Sequence, residues 1–449
     1  MNYPALAEPK PEIASSKPSP PSYLSRVMEL LLRQVTVVDP ASPLHHQLTD
    51  IAIESGRIRS GSDLQPQPST HVVDEAGLFL APGFVDLFAD FCDPGQEHRE
   101  TLESGAAAAA AGGYTDVLLV PNTTPCVHNK SSVEYITQKS RNLPVRLHPM
   151  GALTRNTEGK ELAELYDMHA SGAPAFTDGW KSVQSGGLLL KALQYVLAID
   201  VPVVQLPDDR SFHPGGLMHE GIVSTQLGLP GRPALAEELM VARDIELVRY
   251  TGGRLHLTGL SAAGSVDHVR RAKKEGLPVT CSVAPLHLLY TEEDLRGYDT
   301  NLKLNPPLRT AADRAALRAG VTDGTIDCIA GHHLPQDIDH KIVEFEAAAP
   351  GALSLQTAFA AVCTALPELS AEQLVALFSG NARRIFGLPA AGISDGGTAS
   401  CTIFRRDGQT TLTRAGNRSR SGNSPFFEQS LTGQIFGIIA PGGVFLNTF

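Results

Sequence analysis

The sequence predicts an α/β fold in which a (β/α)8 barrel is combined with a small β domain made from both chain ends. Eight apolar strand candidates alternate with helical stretches between residues 81 and 388, which is the pattern of βα units on a parallel sheet. Eight is also the strand number of a closed parallel barrel. Short alternating strands recur on either side, at 28–80 and 389–449, and predict the β domain.

The first segment, residues 1–27, is predicted to be a disordered leader. It is rich in Pro, Ser and Ala, and its run Lys17-Pro-Ser-Pro-Pro21 disfavours both helix and sheet. Met28 opens the first strand-like run, so the natural start of the protein is either Met1 or Met28.

Alternating or continuous apolar runs bounded by turn residues mark the individual strands. Predicted strands of the β domain lie at residues 30–38, 50–58, 401–405, 433–439 and 442–446. Predicted strands of the barrel, which occupies 81–388, lie at residues 83–87, 116–120, 145–150, 175–177, 201–206, 254–260, 279–283 and 325–330. The alanine run at 106–111 indicates a close-packed helix. Chemistry in such barrels sits at the carboxyl ends of the strands, so the residues there are the candidates for function.

Composition and charge exclude several classes of function. The chain has 449 residues, of which 42% are hydrophobic and 19% charged, which is enough for one large domain and a smaller one. Its 37 basic and 48 acidic residues give a formal net charge of -11, and no dense Lys/Arg cluster marks a nucleic-acid surface. No apolar run reaches the roughly 18 residues of a membrane span, and the amino end lacks a signal-peptide pattern.

Cysteine usage indicates a reducing compartment. The six cysteines are scattered, with no CxxC pair, in a chain too large to need disulfide staples. We therefore expect a soluble cytoplasmic protein. The cysteines are Cys92, Cys126, Cys281, Cys328, Cys363 and Cys401.

One long motif resembles a known family. The run Ala81-Pro-Gly-Phe-Val-Asp-Leu-Phe-Ala-Asp-Phe-Cys-Asp-Pro-Gly-Gln-Glu-His-Arg-Glu-Thr101 is similar to the first barrel strand of bacterial dihydroorotases, whose pattern is PGFxDxHxHxREPGxExKE. The resemblance covers residues 28 to 447, with motifs in the expected order. The further matching motifs are Ala110-Ala-Gly-Gly-Tyr-Thr-Asp116, Pro121-Asn-Thr-Thr-Pro125, Met218-His-Glu-Gly-Ile-Val-Ser224, Leu229-Pro-Gly-Arg-Pro233, Met240-Val-Ala-Arg-Asp244, Lys303-Leu-Asn-Pro-Pro-Leu-Arg309, Gly324-Thr-Ile-Asp-Cys-Ile-Ala330 and Asn423-Ser-Pro-Phe-Phe427.

The resemblance implies a TIM-type barrel of the amidohydrolase family with a small β-sandwich domain, and a role in pyrimidine biosynthesis. Dihydroorotases open or close the cyclic amide dihydroorotate with zinc. The metal is needed because a neutral amide is a poor electrophile and water a poor nucleophile. Zinc polarises the carbonyl and lowers the pKa of its bound water to about 7.

At most of the positions that the resemblance assigns to metal ligands, this chain has residues that do not bind a metal ion. The His-x-His pair of the first strand corresponds to Phe88 and Asp90, and the two later histidines correspond to Leu206 and Gly259. Only Asp178 survives, at the position of the bridging acid. We therefore expect no metal in this chain, and zinc only if it is an active enzyme.

Catalytic and substrate positions are altered in the same way. His332 stands where the family has its catalytic aspartate, so we expect no catalytic residue. The family's carboxylate-binding arginine corresponds to Cys92 and its distal histidine to Gln336. Asn122 and Asn305 match the family's substrate-binding asparagines. Each of these two asparagines also lies next to proline, where Asn is common for purely structural reasons.

Other polar residues leave alternatives open. His332 and His333 are either a new acid/base or metal pair, or core and rim residues, because adjacent residues seldom point into one site. Four acidic residues are either a carboxylate cluster that binds a hard cation or solvated loop residues. His256 and His287 are predicted to be hydrogen-bonded core residues. The four acids are Asp90, Asp178, Asp208 and Asp209.

Three hypotheses of function follow. The first is a catalytically degenerate dihydroorotase homologue that oligomerises and, as the resemblance implies for members lacking metal ligands, assembles with aspartate transcarbamoylase. The second is an active dihydroorotase or related cyclic-amide hydrolase with a site rearranged around Asp90, Asp178 and His332. The third is a sensor that reads a small polar amide through Asn122 and Asn305 without turning it over.

Overall fold

The amino-terminal strands form hairpins and short ladders. The structure is a computed structural model, and it describes residues 24–27 and 29–447. The predicted run at 50–58 is divided in two, because Ser55 (φ 50°) and Gly56 (φ 74°) take left-handed backbone and form a two-residue hairpin turn. The first strands are β1 (Leu24–Val27), β2 (Leu30–Val37), β3 (Leu48–Glu54), β4 (Arg57–Ser60), β5 (His71–Val73) and β6 (Phe79–Pro82).

Each of the eight predicted barrel strands overlaps an observed strand. The next strands along the chain are β7 (Phe84–Ala89), β8 (Tyr114–Leu119), β9 (Arg146–Pro149), β10 (Gly151–Ala152), β11 (Phe176–Thr177), β12 (Val203–Gln205), β13 (Met218–His219), β14 (Gly231–Arg232), β15 (Leu255–Leu257), β16 (Val279–Val283) and β17 (Cys328–Ile329). They form parallel sheets in the orders β7-β8-β9 and β10-β11-β12-β15-β16-β17, and β13 pairs with β14. Successive neighbours are therefore joined by crossovers, as βα units require.

Along the chain, helices alternate with the parallel strands, and further helices follow the last of these strands. The alanine run forms part of α1, which begins at a reciprocal cap: Thr101 and Ser104 each accept the other's backbone N–H through their hydroxyls. No helix within the described ranges is long and apolar enough to cross a membrane. The helices are α1 (Leu102–Ala111), α2 (Lys130–Lys139), α3 (Leu165–Ala170), α4 (Gly186–Val196), α5 (Ile222–Leu227), α6 (Leu235–Thr251), α7 (Ala263–Lys274), α8 (Pro285–Leu289), α9 (Ala311–Thr322), α10 (Ala358–Ala365), α11 (Ala371–Val375) and α12 (Asn381–Phe386).

Both ends of the chain meet in one sheet. The last strands are β18 (Cys401–Thr411), β19 (Ser430–Ala440) and β20 (Gly443–Asn447). The sheet has nine strands in the order β1-β20-β19-β18-β6-β2-β3-β4, with β5 beside β2. The prediction placed β1 in the disordered leader, but it pairs antiparallel with β20. Pro21 is the last proline of the leader, so the backbone N–H groups from β1 onward can pair. Residues 1–23 lie outside the described residues.

A buried ion network joins the parallel strands to this sheet. Asp116, in β8, accepts hydrogen bonds from Arg146 Nε (2.8 Å) and Arg383 Nη2 (2.7 Å), and it contacts His148 Nε2 at 2.9 Å. Arg146 also reaches Ser400 Oγ, just before β18, at 3.3 Å. Burial alone would raise the pKa of Asp116, but His148, Arg383 and Arg146 outweigh it and hold the pKa well below its usual value.

Candidate functional site

Three aromatic rings pack together at the carboxyl ends of the parallel strands. Phe88 is the penultimate residue of β7, Trp180 follows β11 and His332 follows β17. The Phe88 and His332 rings stack with centroids 4.7 Å apart and planes 28° apart. Trp180 meets both edge-on, at 4.8 Å from Phe88 and 5.5 Å from His332. We call these three residues the aromatic stack; such edge-to-face and offset contacts are favourable ring geometries.

Two further positions that the resemblance assigns to metal binding, Leu206 and Gly259, adjoin the stack. Gly259 has φ +67°, and a Cβ added to it would lie 2.4 Å from His332 Cε1 and 3.1 Å from Leu206 Cδ1. Leu206 and Phe88 are fully buried. The structure therefore brings Phe88, Leu206, Gly259 and His332 together in one place, as the sequence motifs imply, but the Phe88 and Leu206 side chains stand where the family has metal donors.

The residues present do not fit the zinc ions of the family. A phenyl ring, an isobutyl group and a glycine supply no ligand atom, and zinc needs about four donors among His, Cys and carboxylate groups. Across residues 24–27 and 29–447, no three His, Cys, Asp or Glu side chains are arranged to hold a metal ion. The aromatic stack also occupies the volume that a ligand cluster would require.

His332 instead ends a chain of neutral hydrogen bonds. Ser282 Oγ donates to Thr258 Oγ1 (3.0 Å), which leaves the Thr258 hydroxyl to donate to His332 Nε2 (2.9 Å). Behind Ser282, His256 contacts Ser282 Oγ through Nε2 (3.0 Å) and Thr280 Oγ1 through Nδ1 (2.9 Å). Burial lowers the pKa of both histidines to about 3. Both imidazoles are therefore neutral near pH 7, and His332 is a weak base.

The four candidate carboxylates do not form one cluster. Asp178 accepts hydrogen bonds from the N–H (2.8 Å) and hydroxyl (2.5 Å) of Thr154, and burial raises its pKa to about 6. Asp90 accepts from the Cys92 N–H at 2.8 Å, and burial raises its pKa as well. Asp209 caps a short 3-10 turn by accepting from the Ser211 N–H at 3.0 Å. Asp208 instead contacts His213 and Arg232.

Asp208 anchors a separate polar group. Its Oδ1 lies 2.7 Å from His213 Nε2, and its Oδ2 lies 2.7 Å from Arg232 Nη2. Arg232, in β14, and Asp208 are both buried. Sequence reasoning missed His213 and Arg232 as site residues, although Arg232 belongs to the quoted Leu229-Pro-Gly-Arg-Pro233 motif. It also missed Trp180, whose signal was that it is the only tryptophan in the chain and follows Asp178 closely.

The two candidate substrate asparagines have different surroundings. Asn122 donates from Nδ2 to the Asp178 carbonyl (3.0 Å) and accepts the Trp180 N–H at Oδ1 (2.9 Å), so it holds the loop that carries the tryptophan. Asn305 Oδ1 is buried, and in the described part of the chain it has no hydrogen-bond partner. Only Asn305 therefore keeps a free acceptor.

The neighbouring histidines and the altered clamp residues point elsewhere. His332 has φ 52°, and His333 turns away from it to contact Glu100 Oε2 at 3.5 Å. His287 packs in the core with Nε2 3.1 Å from the Pro306 carbonyl. Cys92 is buried, and Gln336 donates to the Pro350 carbonyl at 2.9 Å. None of these groups offers the bidentate cation that the family uses on a carboxylate.

An open cavity lies beside the aromatic stack. Its volume is about 470 Å³, and its lining includes Trp180, Asp208, His213, Arg232 and Asn305. This volume is typical of sites for small molecules. The site therefore has two parts: a centre filled by Phe88, Leu206 and His332, and a polar cavity next to it.

Comparison with known proteins identifies the family. A family model described as dihydro-orotase-like matches residues 77–265. The dihydroorotase of Pelotomaculum thermopropionicum is 40% identical over 424 residues, covering 94% of this chain and 99% of that protein. The dihydroorotase of Syntrophus aciditrophicus is 38% identical over 423 residues, covering 93% and 99%.

Solved structures agree on the fold. The L-hydantoinase (dihydropyrimidinase) from Arthrobacter aurescens superposes with a TM-score of 0.80 at 22% identity, covering 93% of this chain and 96% of that one. The dihydropyrimidinase from Brevibacillus agri gives 0.78 at 18% identity, covering 93% and 95%. At these identities the likeness concerns the amidohydrolase-type fold alone. With relatives near 40% identity along almost its whole length, the chain belongs to the dihydroorotase family.

Proposed function

We propose that this chain is a non-catalytic member of the dihydroorotase family that serves pyrimidine biosynthesis as a structural partner of aspartate transcarbamoylase. The observation that carries the proposal is the aromatic stack, with Leu206 and Gly259 beside it, at the positions where the family holds metal. Phe88, Leu206 and Gly259 supply no donor atoms, and His332 Nε2 is already hydrogen-bonded to Thr258.

The remaining polar groups do not replace the missing chemistry. Hydrolysis of an unactivated amide needs a strong nucleophile and a base whose pKa lies near the working pH. His332 is neutral with a pKa of about 3 and accepts a hydrogen bond from Thr258, so it takes up a proton poorly. Asp178 accepts hydrogen bonds from Thr154, and Asp90 accepts one from the Cys92 N–H. No hydrolytic step follows from this arrangement.

The fold component of the proposal is a closed (β/α)8 barrel with a β-sandwich. Closure is supported by an isolated parallel bridge between Ala89 and His333 and by the hydrogen bond from Asp90 N to the His333 carbonyl, at 2.9 Å. These contacts join the end of β7 to the chain that follows β17. The nine-stranded sheet with strands from both chain ends supports the β-sandwich.

Association is the part of the proposal that gives a non-catalytic barrel a role. The resemblance implies that family members lacking metal ligands assemble with aspartate transcarbamoylase, and barrels of this kind commonly form homo-oligomers. The test is co-purification of the untagged native chain with the transcarbamoylase of the same organism, followed by mass measurement of the complex. A stable complex of fixed stoichiometry is expected. Two independent peaks at micromolar concentration would end the partnership proposal.

An active dihydroorotase is the second candidate function. It is favoured by 40% identity to a protein named dihydroorotase along 99% of that protein's length. The deciding experiment is zinc analysis of the purified chain together with a dihydroorotate ring-opening assay, with and without added Zn²⁺. The relative from Pelotomaculum thermopropionicum is the positive control. We expect no zinc-dependent turnover, and one or two bound zinc ions with turnover would replace our proposal by this candidate.

A further inference from the structure

A second cavity lies between the loops that follow β7 and β17 and the connection from β18 to β19. Its volume is about 460 Å³, which is typical of sites for small molecules. We call it the loop cavity. Its lining includes His98, Asp337, Ile338, Lys341, Arg414 and Arg420.

The lining is cationic, although the chain as a whole has a net charge of -11. One lysine and two arginines line the loop cavity against a single acid, Asp337. The Asp337 carboxylate is already paired, with His98 Nε2 at 3.3 Å and His340 Nδ1 at 2.6 Å. A concave surface that concentrates charge of one sign attracts ligands of the opposite sign. The loop cavity therefore favours an anion.

Lys341 is a buried cation whose hydrogen-bond partners are all neutral. Its Nζ donates to the carbonyl oxygens of Thr300 (2.5 Å), Ala349 (2.9 Å) and Gly351 (3.0 Å), so none of its three donors meets a carboxylate. Burial lowers the pKa of Lys341 to about 8, and the ammonium group is still charged at pH 7. Buried charges are usually paired with an opposite charge. An anion in the loop cavity would supply that charge.

Two arginine side chains are free to bind such an anion. Arg414 and Arg420 are exposed, and neither guanidinium forms an ion pair with a carboxylate of the described residues. The Arg414 guanidinium lies over the Phe427 ring at 4.9 Å, a cation–π contact that orients it. The Arg420 backbone is held by Glu100, whose Oε1 accepts its N–H at 3.0 Å. Both side chains therefore extend from anchored positions.

These groups suit a phosphoryl group on an apolar body. Guanidinium groups bind phosphate oxygens through paired N–H donors. A phosphoryl group carries a charge of about -1.5 to -2 at pH 7 and three acceptor oxygens, so it matches several cations better than a single carboxylate does. Ile338 and Ile342, which are 66% and 75% exposed, also line the loop cavity. An apolar ligand body that covers them removes apolar surface from water.

We propose that the loop cavity binds a small organic phosphate, with its phosphoryl oxygens on Arg414 and Arg420 and its apolar part on the two exposed isoleucines. This ligand class is unrelated to a cyclic amide. Among the lining residues, Gln336 stands at a position that the family motif assigns to substrate, and its amide already donates to the Pro350 carbonyl at 2.9 Å. Binding here is independent of whether the barrel opens a cyclic amide, so the zinc and ring-opening assays do not decide it.

Titration calorimetry in phosphate-free buffer tests the proposal with three matched probes. Phenyl phosphate has a dianionic phosphoryl group and an apolar ring. Phenyl sulfate has the same shape with one negative charge, and inorganic phosphate has the charge without the ring. We expect phenyl phosphate to bind one site per chain with a Kd of about 1 mM or lower, at least about fivefold more tightly than either comparison compound.

Each comparison decides one part of the proposal. Equal affinity for phenyl sulfate would overturn the assignment to a phosphoryl group. Equal affinity for inorganic phosphate would overturn the contact with the isoleucines, and no binding of phenyl phosphate would overturn the site. Ile342→Ser should weaken phenyl phosphate and leave inorganic phosphate unchanged, because it removes apolar surface alone.

Arginine variants locate the binding. Arg414→Gln and Arg420→Gln should each weaken phenyl phosphate about tenfold, since each removes charge-assisted hydrogen bonds. Arg141→Gln is the matched control, because Arg141 is exposed, has no ion-pair partner within the described ranges and lies outside the loop cavity. Circular dichroism checks that each variant is folded. Wild-type affinity in both cavity variants, or an equal loss in Arg141→Gln, would refute the proposal.

Discussion

Gly259 and His332 approach so closely that the space for a side chain at position 259 is taken by the imidazole. A Cβ on Gly259 would lie 2.4 Å from His332 Cε1 and 3.0 Å from its Nε2. Both positions belong to the metal and catalytic set in the family motif. A side chain at position 259 therefore requires the His332 ring to move in this backbone.

Gly259→Ala is expected to destabilise the protein by about 2–5 kcal/mol, combining overpacking of about 1–3 kcal/mol with the cost of a left-handed alanine. In a His332→Ala background the same substitution should cost only the backbone part, about 1–2 kcal/mol. Gly228→Ala is the matched control, because Gly228 has φ +69° and open space around it. Urea unfolding of the single and double variants measures the coupling. Equal costs in both backgrounds would show that the His332 ring can move aside.

The aromatic stack makes Phe88 a structural residue. Phe88→Ala removes a fully buried ring that contacts His332 and Trp180, and should cost about 3–5 kcal/mol of unfolding free energy. Phe212→Ala, at a residue that is 43% exposed, should change stability by no more than about 0.5 kcal/mol. Comparable unfolding midpoints for the two variants would contradict a packed centre.

Local sequence patterns predicted the parallel strands well, for a physical reason. The runs at 116–120 and 279–283 are rich in apolar residues because both faces of such strands are covered, and the observed strands Tyr114–Leu119 and Val279–Val283 overlap or match them. The motif spacing also placed Phe88, Leu206, Gly259 and His332 in one site, since the carboxyl ends of parallel strands meet on one face.

The rest depends on contacts between residues far apart in the chain. Pairing of Leu24–Val27 with Gly443–Asn447 spans almost the whole sequence, and no local pattern indicates it. Arg232 reaches Asp208 only because β14 and the loop after β12 come together in the folded chain. Local sequence patterns mark Trp180 only as a turn residue, and its contacts with Phe88 and His332 arise in the folded chain. Tertiary packing decides such partners, and sequence periodicity does not carry that information.

Buried neutral histidines predict a loss of stability in acid. The pKa of His256 is lowered to about 3 in the folded protein. As the pH falls below about 6.5, the unfolded chain therefore takes up a proton at His256 that the folded chain does not. The stabilisation is complete above about pH 6.5 and falls by up to roughly 1.4 kcal/mol per pH unit as the pH drops toward 3. His256→Gln should flatten the slope between pH 6.5 and 4, as measured by urea unfolding. His71→Gln, at an exposed residue, should not change it, and an unchanged slope in His256→Gln would refute the assignment.

The Asp116 network predicts a second effect in stronger acid and a large effect of mutation. The pKa of Asp116 is depressed in the folded state, so its contribution is present above the unfolded value near 3.8 and is lost as the pH falls below it. Asp116→Asn removes the charge that pairs with Arg146 and Arg383, and the two guanidinium groups are left near a neutral amide. We expect a loss of about 3–5 kcal/mol at pH 7, as for a buried pair that loses one partner. Asp267→Asn, which breaks an exposed pair with Arg270, should cost no more than about 1 kcal/mol.

Because Arg146 also bonds Ser400 beside the mixed sheet, thermal unfolding of Asp116→Asn should separate into two transitions, one for the parallel-strand region and one for the sheet. A single transition with the wild-type midpoint would show that the network does not couple them.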